Sequence, residues 1–168
     1  RPRSESVDKQ ALVAQLVAKL RDALRVAERA RDDAAEEARE GATPSEKRDD
    51  ARVAIEQSGI ARAQARRAAQ LQAELKALAI FDPQPLPRGA PVSVGALVEV
   101  EQEDGGVTIL LAPAGAGEEL TGPGGDGFFT VVTPSSPLGR AILGHHAGDT
   151  VEARIAGTLR EWTITWVG

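Results

Sequence analysis

From Ser4 to Ile80 the chain holds one proline, Pro44, and two glycines, Gly41 and Gly59, and is otherwise dominated by Ala, Arg, Glu, Gln and Leu. Those are strong helix formers, and a run of that length has few ways to bury an apolar face other than against another helix. Val13, Leu16, Leu20, Ala23, Ala27, Ala30 and Ala34 step by three and four, which is the seam of a coiled coil. Ala61, Ala68, Leu71, Leu75 and Leu78 repeat the step on a second arm, with Gln57 and Gln64 interrupting the stripe. The large apolar residues sit at the outer ends of both arms and the middle is mostly alanine. That placement fits an antiparallel hairpin in which residue 16 meets the region of residue 75. Arms of about 35 residues would reach roughly 50 Å.

The turn of the hairpin falls in "EEAREGATPSEKRDD". Gly41 is a natural stop for the first helix. Thr43 can cap the second, with Pro44 at its first position and Glu46 three residues after the cap, a capping box. The expected hairpin spans 4–80 with its tip near 40–46.

A proline-rich connector, "FDPQPLPRGAP" at 81–91, separates this arm from a different grammar. Runs at 92–100, 107–111, 128–133, 150–155 and 158–167 are rich in β-branched residues and bounded by Gly or Asp-Gly, and they read as strands. Trp162, Ile164 and Trp166 alternate with Thr163 and Thr165, so both tryptophans are expected on the core side. Between these runs Ser136 can cap a short helix opened by Pro137 and closed at Gly144. The expected fold class is α+β, with an antiparallel helical hairpin followed at 92–168 by a small β domain, a twisted antiparallel sheet around one helix. The glycine-rich "AGAGEELTGPGGDG" precedes no Lys-Ser/Thr pair and no helix start, and reads as a flexible loop, not a phosphate cradle.

Composition excludes several function classes. The absence of cysteine removes disulfide scaffolds and thiolate zinc sites. No run approaches the ~18 apolar residues of a membrane span and none reads as a signal peptide, so the expectation is a cytoplasmic protein with no membrane partner. Residues 1–80 carry 16 Lys/Arg against 14 Asp/Glu and residues 81–168 carry 4 against 11, a net +2 and −7. Neither half offers the concentrated basic face that duplex DNA requires, so direct duplex binding is not expected. No nucleophile–base pair or metal cluster emerges, and a free-standing enzyme has little support. His145 and His146 lack a third ligand nearby and read as turn residues.

The stretch "TPSSPLGRAILGHHAGDTVEA" carries a resemblance. Ser136, Pro137, Leu138, Gly139, Ala141, Ile142, Leu143, Gly144, Gly148, Asp149 and Val151 match S-P-L-G-x-A-[LI]-[LIM]-G-x-x-x-G-D-x-[VI]. Together with the preceding hairpin, this string resembles the bacterial Gre family of transcript-cleavage factors. The structural reading of Pro137, Gly144 and Gly148 as helix and turn punctuation accounts for about half of it. The resemblance implies an FKBP-like β domain without isomerase activity, seated on RNA polymerase through Ser136, Pro137, Leu138, Gly139 and Arg140. It implies a coiled coil passed down the secondary channel toward the nascent RNA 3′ end. The expected state is a monomer, and the resemblance implies no cofactor of its own beyond a Mg²⁺ shared with the polymerase. Family members use tip carboxylates to help hold that ion, so the polymerase cuts its own backtracked transcript.

The tip departs from the family pattern, which reads approximately G-D-L-S-E-N-A-E-Y. Ser45 and Glu46 match, but the family Asp falls on Thr43 and its aromatic residue on Asp50. Glu40, Glu46, Asp49 and Asp50 are the candidate tip carboxylates, with Glu46, Asp49 and Asp50 as the shared Mg²⁺ ligands. Asp32, Asp33, Glu36, Glu37 and Glu40 crowd the end of the first helix, where acids oppose the helix dipole at about 0.3–1 kcal/mol each. A solvated acidic face explains the same run equally well. Arg62, Arg66 and Arg67 are candidates for contact with RNA or with polymerase, or a solubilising face. The favoured function is a channel-inserting modulator with weak or absent cleavage stimulation. The alternatives are a true cleavage factor with rearranged carboxylates, and a coiled-coil interaction protein with a non-polymerase partner.

Overall fold

The computed structural model describes residues 7–40, 49–125 and 127–168. Helices α1 (Lys9–Glu40) and α2 (Asp49–Ala79) are followed by strands β1 (Leu97–Gln102), β2 (Gly105–Leu111), β3 (Glu119–Thr121) and β4 (Phe128–Val132). The short helix α3 (Pro137–Ile142) and strands β5 (Thr150–Ile155) and β6 (Thr158–Val167) complete an α+β chain. One compact unit joins α1 as far as Val17 to Ala77–Gly168; the other is Ala18–Lys76. The capping box expected at Thr43, Pro44 and Glu46, and the stop at Gly41, lie outside the described residues.

The 32-residue α1 is about 48 Å long, whereas the eight residues between the helices span at most about 29 Å. A parallel pair is therefore unreachable, and the helices run antiparallel. Gln72 Nε2 donates to Glu28 Oε1 at 3.4 Å across them. Leu20, Ala27, Ala34, Ala68 and Leu71 are buried. Ala54, Gln57, Ala61 and Gln64 are half-buried and continue the three-four step. The two glutamines thus occupy seam positions without leaving the helix.

Asp8 caps α1, its Oδ1 accepting from Ala11 N at 3.0 Å. The first turns of α1 belong to the sheet unit. Gln15 Nε2 donates to Thr121 Oγ1 at 2.9 Å and its Oε1 accepts from Thr121 N at 2.8 Å. Leu16 is fully buried against Gly115, where a β-carbon would lie 2.6 Å from its Cδ1 and a φ of 86° favours glycine.

The six strands are ordered β3-β4-β2-β1-β6-β5. The expected all-antiparallel sheet is corrected at one ladder, because β2 and β4 run parallel from Thr108↔Phe129 to Leu111↔Val132. The chain between them contributes β3, antiparallel to β4, inside the stretch expected to be a flexible loop. Three residues with a single buried side chain, Leu120, are too short to show alternation. β1 also starts at Leu97, not at residue 92. Val92 is instead tied to the turn after α3, donating to His145 O at 2.7 Å and accepting from Gly144 N at 2.8 Å. Gly95, at φ 98°, turns the chain into β1.

One sheet face buries Val98, Val100, Ile109, Leu111, Val132, Val151, Trp162 and Ile164 with Leu138 and Ile142 of α3. By alternation Leu97, Leu110 and Val131, which are paired across three strands and buried, lie on the other face. A β-bulge corrects the second expectation about the tryptophans. Val100 pairs with Ile164 but Glu99 pairs with Trp166, so Thr165 is the extra residue. Inward positions change from even to odd beyond it: Trp162 is 6% exposed, Trp166 is 37% exposed, and Val167 packs against the core instead.

Candidate functional site

The Ser136 segment is built around one backbone carbonyl. Ser136 Oγ donates to Thr133 O at 2.8 Å and accepts from Gly139 N at 3.0 Å, capping α3. Pro137 fills the first helical turn, where its missing N–H costs nothing. Leu138 and Ile142 reach the core. Gly139 is buried beneath Thr133. Gly144, at φ 82°, ends the turn in the left-handed region.

The second half of the string is a turn held by Asp149. Its Oδ2 accepts from His146 N at 2.8 Å and lies 3.3 Å from His145 Nδ1. The His146 N–H bond, then the neighbouring His145, hold the Asp149 carboxyl below its ordinary range. Gly148 N donates to Ile164 O at 2.7 Å, fastening the turn to β6. His145 and His146 sit in this turn as expected.

Of the five residues that the resemblance assigns to polymerase contact, Pro137 and Arg140 are exposed and Ser136 is half-buried with its hydroxyl engaged. Leu138 and Gly139 are inside. The outward face of the segment is therefore Pro137, Arg140 and Leu143, the last 43% exposed. Leu143 was matched in the string but not among the contact residues that the resemblance implied.

The acids form a separate group. Asp32, Asp33, Glu36, Glu37 and Glu40 are all exposed over the last turns of α1, and Arg31 Nε donates to Asp32 Oδ1 at 2.9 Å. That contact raises the Arg31 guanidinium further above its ordinary value. Asp49 is exposed and Asp50 half-buried in the first turn of α2, where acids favour the helix dipole. Glu46 lies outside the described residues. Among the described residues no group of three or more His, Asp or Glu is placed to hold a metal ion. Arg62, Arg66 and Arg67 are exposed on α2, with Arg62 about 20 Å along the helix from Asp49. Arg62 is thus well separated from the α2 acids Asp49 and Asp50.

No family model matches the chain. Two curated relatives are named transcription elongation factor GreA. That of Verminephrobacter eiseniae is 29% identical over 98 residues, and that of Polaromonas naphthalenivorans 28% over 98 residues. The matched residues are 58% of this chain, and it spans only 58% of the length of either relative. Among solved structures, the GreA factor homolog 1 of Thermus thermophilus superposes with a TM-score of 0.38 at 18% identity, covering 90% of this chain and 94% of that one. In sequence, this chain is similar to the Gre family of transcription elongation factors.

Proposed function

We propose that this chain is an RNA polymerase-binding, Gre-like factor whose helical hairpin enters the secondary channel and modulates transcription, with little or no stimulation of transcript cleavage. The observation that carries the reading is the similarity to two GreA elongation factors, in a chain that also has an alanine-lined antiparallel hairpin. Ala27, Ala34 and Ala68 at the seam let the helix axes approach to the lower end of the usual 8–10 Å, which keeps the arm slender. A slender arm suits a narrow pore. Pro137, Arg140 and Leu143 supply the outward face of the Ser136 segment for the polymerase.

The tip chemistry supports modulation over cleavage. Added oxygen ligands stabilise a weakly held Mg²⁺ only when they converge on one point. Asp49 and Asp50 are consecutive on α2 and therefore project about 100° apart around the helix axis. Thr43 stands where the family pattern places an Asp. The chain hydrolyses nothing by itself in this reading, and any Mg²⁺ belongs to the polymerase site.

Binding of the full chain to purified cognate polymerase core tests the reading. Saturable association that Arg140→Glu weakens supports it. Absence of association leaves the interaction protein with a different partner as the better account.

A further inference from the structure

Strand β5 is an edge of the sheet, with β6 as its one strand neighbour among the described residues. Its partner ladder runs from Thr150↔Thr163 to Ile155↔Thr158 and closes through a two-residue loop, Ala156 and Gly157, at φ 50° and 81°. Positive φ at both loop positions is the signature of a type I′ hairpin, in which the closing pair exchanges both hydrogen bonds. Ile155, Ala153 and Val151 therefore turn their backbone groups toward β6. The bond from Ile164 N to Asp149 O at 2.8 Å continues the same alternation. Thr150, Glu152 and Arg154 turn theirs outward, to an edge that no other strand covers among the described residues.

Charged side chains on an edge usually guard it against pairing. Here they are placed symmetrically about Ala153: Glu152 and Arg154, both exposed, then Val151 and Ile155, on the core side. An antiparallel strand laid on this edge must pair outward-facing residues with outward-facing residues. For a second copy of β5 that leaves three central registers. Setting Glu152 opposite Glu152, or Arg154 opposite Arg154, puts like charges together. The third sets Ala153 opposite Ala153 and pairs Glu152 of each copy with Arg154 of the other.

We propose that β5 pairs with β5 of a second copy in that third register, so that two six-stranded sheets join across a two-fold axis. The two Glu152–Arg154 pairs each exchange both backbone hydrogen bonds, with side chains on the open face about 4.5–5.5 Å apart at Cβ. Ala153 occupies the close, non-hydrogen-bonded centre, where a small side chain fits, and Val151 meets Ile155 on the core side. Arg154 Nη1 donates to Gly157 O at 2.9 Å, which leaves four of its five N–H groups for the pairing. The interface is isologous, so each contact occurs twice. Six residues per copy bury far less than the ~1,600 Å² of a standard interface, so the dimer forms reversibly at high micromolar concentration. This departs from the monomer expected from the sequence.

Charge reversal provides the test, by sedimentation equilibrium of the full chain from about 10 µM to about 1 mM. Glu152→Arg and Arg154→Glu should each weaken association roughly tenfold, because both symmetric pairs become repulsive. The double variant should restore it, since the pairs are simply exchanged. Unfolding does not confound the first variant: Glu152 stands opposite Glu161 within the sheet, and the change replaces a like-charge pair by an opposite one. A wild-type chain that stays monomeric throughout, a dimer indifferent to either reversal, or a double variant that fails to recover would each overturn the proposal.

Discussion

A β-carbon placed on Gly139 would lie 1.9 Å from the carbonyl oxygen of Thr133. That oxygen already accepts from Ser136 Oγ, so the strand end, the cap and the helix converge on one atom. The contact is with backbone, which cannot step aside as a side-chain end does. Gly139→Ala should therefore cost about 1–3 kcal/mol, as for an overpacked core position, despite a helix propensity that favours alanine. Chemical denaturation measures it. A loss under about 0.5 kcal/mol would mean that the Thr133 turn is not held as described.

The helical unit makes the opposite prediction. Gln57 and Gln64 sit half-buried on the seam between Ala54 and Ala68. Gln64→Leu should stabilise the hairpin by about 1 kcal/mol, by converting a polar seam position to an apolar one. Far-ultraviolet thermal melts would show an upward shift in the helical transition. A downward shift would place Gln64 in a role that leucine cannot fill, such as a polar contact across the seam.

Asp149 sets an acid dependence. Its folded-state carboxyl lies below its ordinary range, so its contribution to stability is fully present above the unfolded value, about 3.9, and is lost as pH falls through the lower folded value. Asp149→Asn should reduce stability at neutral pH and flatten the decline on acidification below about pH 4. An unchanged acid slope would show that the His146 N–H bond is not maintained in solution.

How much of this was legible depended on whether a pattern was long enough to show its period. Val13 to Ala34 spans three heptads, and every residue of that stripe is buried or half-buried in the structure. The cap at Ser136 was legible because Ser-Pro before a glycine-bounded apolar run has few other uses. Leu120 gave no signal, being one apolar residue in a glycine-rich stretch. Trp166 gave a misleading one: a bulge at Thr165 exchanges the faces of the strand, and nothing local marks it. The direction of β4 against β2 is a matter of topology and leaves no trace in either strand.

At the candidate site, residue types were legible and placements were not. Leu138 and Gly139 read as part of a docking motif, yet they are held inside by the core and by the Thr133 turn. Pro137 and Arg140 remain exposed from that reading. The acids of α1 were visible as a run that opposes the helix dipole, but whether they converge is a question of helix geometry that a count of charges does not answer.

RNA cleavage in a stalled, backtracked elongation complex of the cognate polymerase tests the central claim most directly. The comparison is the full chain against buffer and against Asp49→Ala/Asp50→Ala. The account predicts cleavage no faster than with buffer, with reduced elongation or initiation by the same polymerase and no difference between wild type and variant in the cleavage lane. Faster cleavage by the wild type, lost in the variant, would contradict it and show that Asp49 and Asp50 replace the family's carboxylates.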